Sequence, residues 1–235
     1  MRKFALLSAA ILSLAATPAL SLSDKPYITQ ADIDIAALLP SPPTESSMMG
    51  KLDSSVAAEL QKDMTPARAK AVRDDLPQDV YNLVGSVLGP NFTKEKFPLT
   101  GQFIDKVVKD GSFGVGPVKQ KYNKPRPFKY SADLAKAFPD IASSTGGATY
   151  VSGHSTAAFQ AALILGTMLP SKRDALYQRA FDYSLNRVTS GAAYLSDAEG
   201  GHITATLAVY AMMQKPEFRT DYEAVKAELT KGGIN

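Results

Sequence analysis

Four separated stretches of this chain carry side chains able to hold or protonate an oxyanion. Lys119, Lys121, Lys124, Arg126 and Lys129 form a basic cluster, with Tyr122 and Phe128 between them. Pro125 and Pro127 stiffen the backbone on either side of Arg126, and a positioned guanidinium can grip two phosphate oxygens at once. A solvated loop and a nucleic-acid patch are the other readings of such a cluster. Ser152-Gly153-His154 precedes an apolar run. If a helix starts there, its first amides lack internal partners and attract anions, glycine permits close approach, and histidine exchanges a proton near neutral pH. An ordinary serine cap beside a satisfied histidine fits equally well. Arg187 continues the helical row Leu176, Ala180 and Tyr183. A cation on a core-facing row needs an anionic partner or a route to water; a snorkelling arginine in a last turn is the alternative. Asp197 falls in the first turn of the next helix, where it can serve the helix dipole, and Gly201, Thr204, Ala205 and Ala208 on its face imply a close inter-helix seam. His202 lies five residues after Asp197, roughly 140° around a helix from it, and is expected to be packed or exposed, not paired with it.

Composition narrows the chemistry. The 235 residues contain no cysteine, so disulfides, thiolate metal sites and a cysteine nucleophile are excluded. Two histidines leave little room for a multi-histidine metal centre, and no metal or cofactor is expected. No G-x-S-x-G elbow, P-loop or dinucleotide fingerprint is present. Hydrophobic residues make up 45% of the chain and charged residues 21%, enough apolar content for a packed core.

The elements that must position these residues read as helices. Residues 1–21 place Arg2 and Lys3 before an apolar run over 4–16, followed by the small residues Thr17, Ala19 and Ser21, the layout of a cleaved secretory signal peptide. Without it, 24 of the 26 Lys and Arg remain against 23 Asp and Glu, so a nucleic-acid partner is disfavoured. The run is too short for a membrane span, and no later stretch reaches 18 apolar residues. Residues 22–50, rich in Pro, Ser and Asp, read as an extended arm lying on the domain, which occupies 51–235. Thr65-Pro66 reads as a cap and first-turn proline. Val80, Leu83, Val84, Val87 and Leu88 keep helical period until Gly89-Pro90; a further helix ends near Gly111. Residues 111–150, with Gly, Pro and clustered bases, read as loop-rich. Ser152 is expected to cap a helix through Leu169, and Ser171 with Asp174 and Ser196 with Glu199 sit at capping-box spacing. A last helix spans about 218–229. No alternating strands appear; the fold class is an all-α, single-domain helical bundle.

Taken together, Lys119, six residues, Arg126-Pro127, then Ser152-Gly153-His154, then Arg187 and Asp197 ten residues later, resemble the three-part signature of the bacterial class A non-specific acid phosphatases. These are members of the type 2 phosphatidic acid phosphatase and vanadium haloperoxidase superfamily. The arm Leu38-Leu39-Pro40-x-Pro42-Pro43, the 120–128 loop and Lys215-Pro216-Glu217-Phe218 are similar to that family too. The resemblance implies a periplasmic or secreted, metal-independent phosphatase of phosphomonoesters, with homodimerisation a family expectation. It implies that Lys119, Arg126 and Arg187 hold phosphate oxygens, that Ser152 and Gly153 add hydroxyl and backbone donors, and that His154 protonates the leaving alcohol. A second histidine, six after the arginine, would attack phosphorus, oriented by the aspartate that Asp197 matches.

At that position stands Ala193. A methyl group cannot attack phosphorus, and the frame from Arg187 to Asp197 is otherwise kept. Asn186 replaces a serine and Val151 a proline of the pattern. Loss of a covalent nucleophile costs several powers of ten, while oriented charges retain some catalysis. Impaired hydrolysis is therefore expected, by water entering beside Ala193 with Asp197 as base. The alternative is a non-catalytic protein that binds phosphate or small phosphomonoesters. A third reading is an exported helical protein with a structural or partner-binding role, which would not respond to phosphate.

Overall fold

The computed structural model describes residues 21–235. The signal-peptide expectation for residues 1–21 lies, but for Ser21, outside them. Twelve α-helices follow in order among the described residues: α1 (Ile35–Leu38), α2 (Met48–Lys62), α3 (Pro66–Asp74), α4 (Val80–Leu88), α5 (Pro98–Gly111), α6 (Val115–Tyr122), α7 (Ala132–Ala137), α8 (Pro139–Ser144), α9 (Gly153–Met168), α10 (Arg173–Thr189), α11 (Leu195–Met213) and α12 (Pro216–Lys231). No strand occurs among the described residues. The fold is all-α, as the periodicity predicted.

α9 is the central element. Ala158, Phe159, Ala161, Ala162, Ile164 and Leu165 are all buried, so nearly its whole circumference faces protein. Such a helix is apolar all round because it has no solvent face to keep polar. It packs against α10 and α11 over most of its length and meets α4 and α5 on other sides. Each large aliphatic side chain buried here contributes roughly 1.5–3 kcal/mol. The α9–α11 seam is closed by small residues: a Cβ on Gly201 would lie 2.7 Å from the Ser152 carbonyl oxygen.

A second, smaller core lies beneath residues 123–150. It joins Ala57 of α2, Val72 of α3, Phe128, Leu134, Phe138, Ile141, Val188 and Ala192. Residues 111–150 are more helical than the loop-rich stretch expected. α6, a 3₁₀ turn at Pro127–Lys129, α7 and α8 occupy most of it. Their helices are six to eight residues long and carry few apolar positions each, so periodicity could not reveal them. The arm is only partly extended: α1 interrupts it and α2 begins within it, while Tyr27, Ile28, Ile35 and Leu39 are buried against the bundle.

Caps show where local signals held. Ser152 accepts from the Ser155 amide at 3.2 Å, and Thr65 from the Arg68 amide at 3.1 Å. Gly89 ends α4 at φ +95°, a region that favours glycine. The two later capping boxes are different. α10 starts at Arg173 with no side-chain cap. α11 starts two residues earlier than a Ser196 cap predicts, and it is Asp197 that reaches back to accept from the Tyr194 amide, at 2.7 Å.

Candidate functional site

The first turn of α9, the last turn of α10, the turn 190–194 and the segment 123–152 meet at one place. Loop and turn are stitched by backbone bonds: Phe128 donates to the Gly191 oxygen at 3.1 Å, and Ser152 to the Asp197 oxygen at 2.9 Å. Gly191 has φ +70° and lets the chain reverse between α10 and α11.

Lys119, on the last turn of α6, donates to the carbonyls of Ala148 and Thr149, each at 2.8 Å. Arg126 spreads over the same loop and the opposite turn. Its Nε donates to Gly146 O at 3.1 Å, Nη1 to Ala192 O at 2.6 Å and Nη2 to Ala148 O at 3.4 Å. The Arg187 carbonyl accepts from the amides of Ala192 and Ala193, so one turn of backbone connects the two arginines. Arg187 itself is 4% exposed, and its Nη1 is buried without a hydrogen-bond partner. The partners of Lys119 and Arg126 are neutral carbonyls. Three cations thus gather with no carboxylate bonded to them, an arrangement that invites an anion.

The electrostatics agree. Burial pushes the Lys119 ammonium down to about 8, Arg126 adds to this, and Asp197 opposes it. Burial lowers the guanidiniums of Arg126 and Arg187 too, and Arg126 reinforces the effect on Arg187. His154 is pushed down to about 4, first by burial, then by the Arg187 cation, with smaller effects from Arg126 and Lys119. Its Nε2 lies 3.2 Å from the Leu76 carbonyl oxygen. Lys119, His154 and Arg187 therefore each feel the charge of Arg126, while Asp197 favours the charge on Arg126 itself.

Ser152 and Gly153 stand beside them. The Ser152 hydroxyl accepts from the Ser155 amide and hydroxyl, which leaves its own proton free to donate. Its amide is already used on Asp197, so of the backbone donors the resemblance implied, Gly153 N–H, at the first position of α9, is the free one.

Asp197 is fully buried. Oδ2 accepts from Thr149 Oγ1 at 2.6 Å and from the Tyr194 amide at 2.7 Å; Oδ1 faces Lys124 Nζ at 3.2 Å. Burial raises its carboxyl, with Lys124 opposing most strongly. A carboxylate so enclosed braces the turn and is badly placed to activate water. Ala193 is buried, and a cavity of about 590 Å³ lined by Lys124, Asp53 and Tyr194 does not reach it. Water attack with Asp197 as base therefore finds no support in this geometry.

In sequence Lys124 belongs to the basic cluster, whose readings are a solvated loop charge or an anion ligand. It turns inward instead, to Asp53 Oδ2 at 3.3 Å, Ser196 Oγ at 3.1 Å and Asp197. Asp53, a buried acid on α2, and Thr149 escaped sequence reasoning, because nothing in their local spacing marks a partner more than 40 residues away. His202 stacks on Phe159 with ring centroids 4.0 Å apart, away from Asp197 as expected.

Residues 107–221 match the PAP2 superfamily. They form a PAP2 superfamily domain. That domain contains Lys119, Lys124, Arg126, His154, Arg187 and Asp197, but not Asp53. The chain is also homologous to bacterial acid phosphatases. It is 26% identical over 203 residues to a non-specific acid phosphatase of Providencia stuartii, covering 85% of this chain and 82% of that protein. To an acid phosphatase of Zymomonas mobilis it is 27% identical over 143 residues, 61% of this chain and 54% of that protein. To a non-specific acid phosphatase of Salmonella typhi it is 23% identical over 195 residues, 81% and 78% respectively. Among the described residues, no helix outside or inside the PAP2 domain is long and apolar enough to cross a membrane.

Proposed function

We propose that the cradle of Lys119, Arg126, Ser152, Gly153, His154 and Arg187 binds the phosphoryl group of phosphate or of small phosphomonoesters. The observation that carries this is the buried Arg187 guanidinium with Nη1 unpartnered beside a second arginine, a lysine and an imidazole. A bound phosphate would supply charge-assisted acceptors to all of them. Relatives named acid phosphatases support the chemical class.

Hydrolysis through a covalent phosphohistidine has no nucleophile here, because Ala193 occupies the position six after Arg187. His154 retains the capacity to protonate a leaving alcohol, since a bound phosphate anion offsets the cations that add to burial in depressing it. The protein is thus a phosphoester-binding member of the family whose turnover is weak. Inorganic phosphate or vanadate is expected to raise the melting temperature, and p-nitrophenyl phosphate to be hydrolysed slowly at mildly acidic to neutral pH. No thermal shift with either anion sinks the cradle. No release of p-nitrophenol above a blank leaves the non-catalytic binder as the reading. Ala193→His is expected to raise hydrolysis at least about tenfold by restoring a nucleophile. If it does not, the departure from catalysis extends beyond one residue.

Periplasmic placement rests on the basic-then-apolar layout of residues 1–21. Recovery of the full-length gene product only in the cytoplasmic fraction would overturn it. A homodimer rests on the family resemblance alone, and sedimentation velocity tests it: a single monomeric species would remove it.

A further inference from the structure

Residues 75–77 join α3 to α4 and lie outside the PAP2 superfamily match, yet they back the cradle. Asp75 is 3% exposed. Its carboxylate accepts from Arg179 Nη1 at 2.9 Å, from Arg179 Nη2 at 2.5 Å and from Asn186 Nδ2 at 2.6 Å. The Leu76 carbonyl faces His154 Nε2 at 3.2 Å. The Pro77 carbonyl accepts from the Tyr183 hydroxyl at 3.1 Å, and the Tyr183 ring stacks on His154 with centroids 6.0 Å apart and planes 24° apart. Arg179, Tyr183 and Asn186 follow one another at helical spacing on a single face of α10. Three consecutive connector residues thus hold the imidazole in the first turn of α9 and the C-terminal turns of α10, the helix whose last turn carries Arg187.

A carbonyl oxygen only accepts, so the ring nitrogen facing Leu76 must bear the proton. We infer that the 75–77 connector is a positioning element of the cradle. It fixes His154 as the Nε2–H tautomer, leaves Nδ1 as the nitrogen that meets the bound oxyanion, and sets the register in which α10 presents Arg187. The inference rests on the cradle being a phosphate site. Nδ1 carries a lone pair in the neutral ring and repels an oxyanion. It becomes a donor only when the ring takes a second proton from solvent. Phosphate binding below neutral pH therefore brings a proton to Nδ1, while the Nε2–H bond to Leu76 stays in place.

Two histidines make this readable by nitrogen-15 NMR of the full chain, with His202→Gln assigning the signals by subtraction. The free protein is expected to show His154 as the Nε2–H tautomer with bare Nδ1 near neutral pH. Inorganic phosphate at about pH 5.5 is expected to protonate Nδ1. An Nδ1–H tautomer in the free protein overturns the inference. Asp75→Asn keeps the shape of the side chain but weakens its hold on Arg179 and Asn186. It is expected to weaken phosphate binding about fivefold or more and to give His154 a mixture of tautomers. A variant that loses thermal stability alone, with affinity and histidine signals unchanged, shows a merely structural connector and overturns the inference. Should Asp75→Asn fail to fold, Asn186→Ser removes one of the three hydrogen bonds to the carboxylate and carries the same expectation. An Nε2–H tautomer in a protein that ignores phosphate would instead defeat the cradle reading and leave the tautomer assignment standing.

Discussion

A buried guanidinium with Nη1 unpartnered destabilises the empty protein, because desolvation is not repaid by a counter-charge. Replacing Arg187 by Met, apolar and of similar length, is expected to leave stability unchanged or raise it by about 1 kcal/mol. The same variant should lose the thermal shift with phosphate, so calorimetric scans with and without the anion check both halves. His154 gives a pH signature. Its folded-state value lies below the ordinary 6.5, at about 4, so the unfolded chain takes the proton first as pH falls. The histidine's contribution to stability is complete above about pH 6.5 and is lost on descending toward pH 4, a loss on the order of 2 kcal/mol after allowing for partial exposure. His154→Gln is expected to flatten that part of the curve, and urea unfolding of both proteins at several pH values measures the difference. Identical curves would mean that the histidine titrates normally.

The cradle depends on how closely α11 approaches the start of α9. A Cβ at Gly201 would stand 2.8 Å from the Ser155 Cβ as well as against the Ser152 oxygen, both on rigid neighbours. Gly201→Ala is therefore expected to cost about 1–3 kcal/mol through overpacking and to weaken phosphate binding, because Ser152 and Gly153 must shift. Denaturant midpoints and anion titration read the two effects. The small residues on the Asp197 face already announced this seam. Caps were legible where a side chain met its own helix, as at Thr65 and Ser152. At α10 and α11 the capping-box spacing of Ser171 and Ser196 does not correspond to the caps the structure uses. The Ser196 hydroxyl and amide both go to Asp53, 143 residues away, and no local pattern shows such a competitor.

Across the whole molecule, the arm before α2 ties the bundle together. The Tyr27 hydroxyl donates to Asp221 of α12 at 2.6 Å and its amide to Asp110 of α5 at 3.0 Å, while its ring packs edge-on against Phe103 and Phe218. Tyr27→Ala is expected to lower stability by about 3–5 kcal/mol, as for other buried aromatic truncations, with phosphate affinity of the folded protein retained. Thermal unfolding and anion titration together test this; an unchanged midpoint would mean that the arm is not part of the folded unit.

By itself the sequence determined the helical class and the helices α4, α5 and α9 to α12, and it singled out the cations and the histidine as candidates. Periodicity and cap chemistry are local, and so they survive in one dimension. Only the tertiary structure decided that Arg187 lies buried, that Lys124 turns inward to two carboxylates, that Asp197 is fully enclosed and that Leu76 faces His154. Those outcomes depend on desolvation and on partners brought together by packing, and neither is encoded in the spacing of neighbours along the chain.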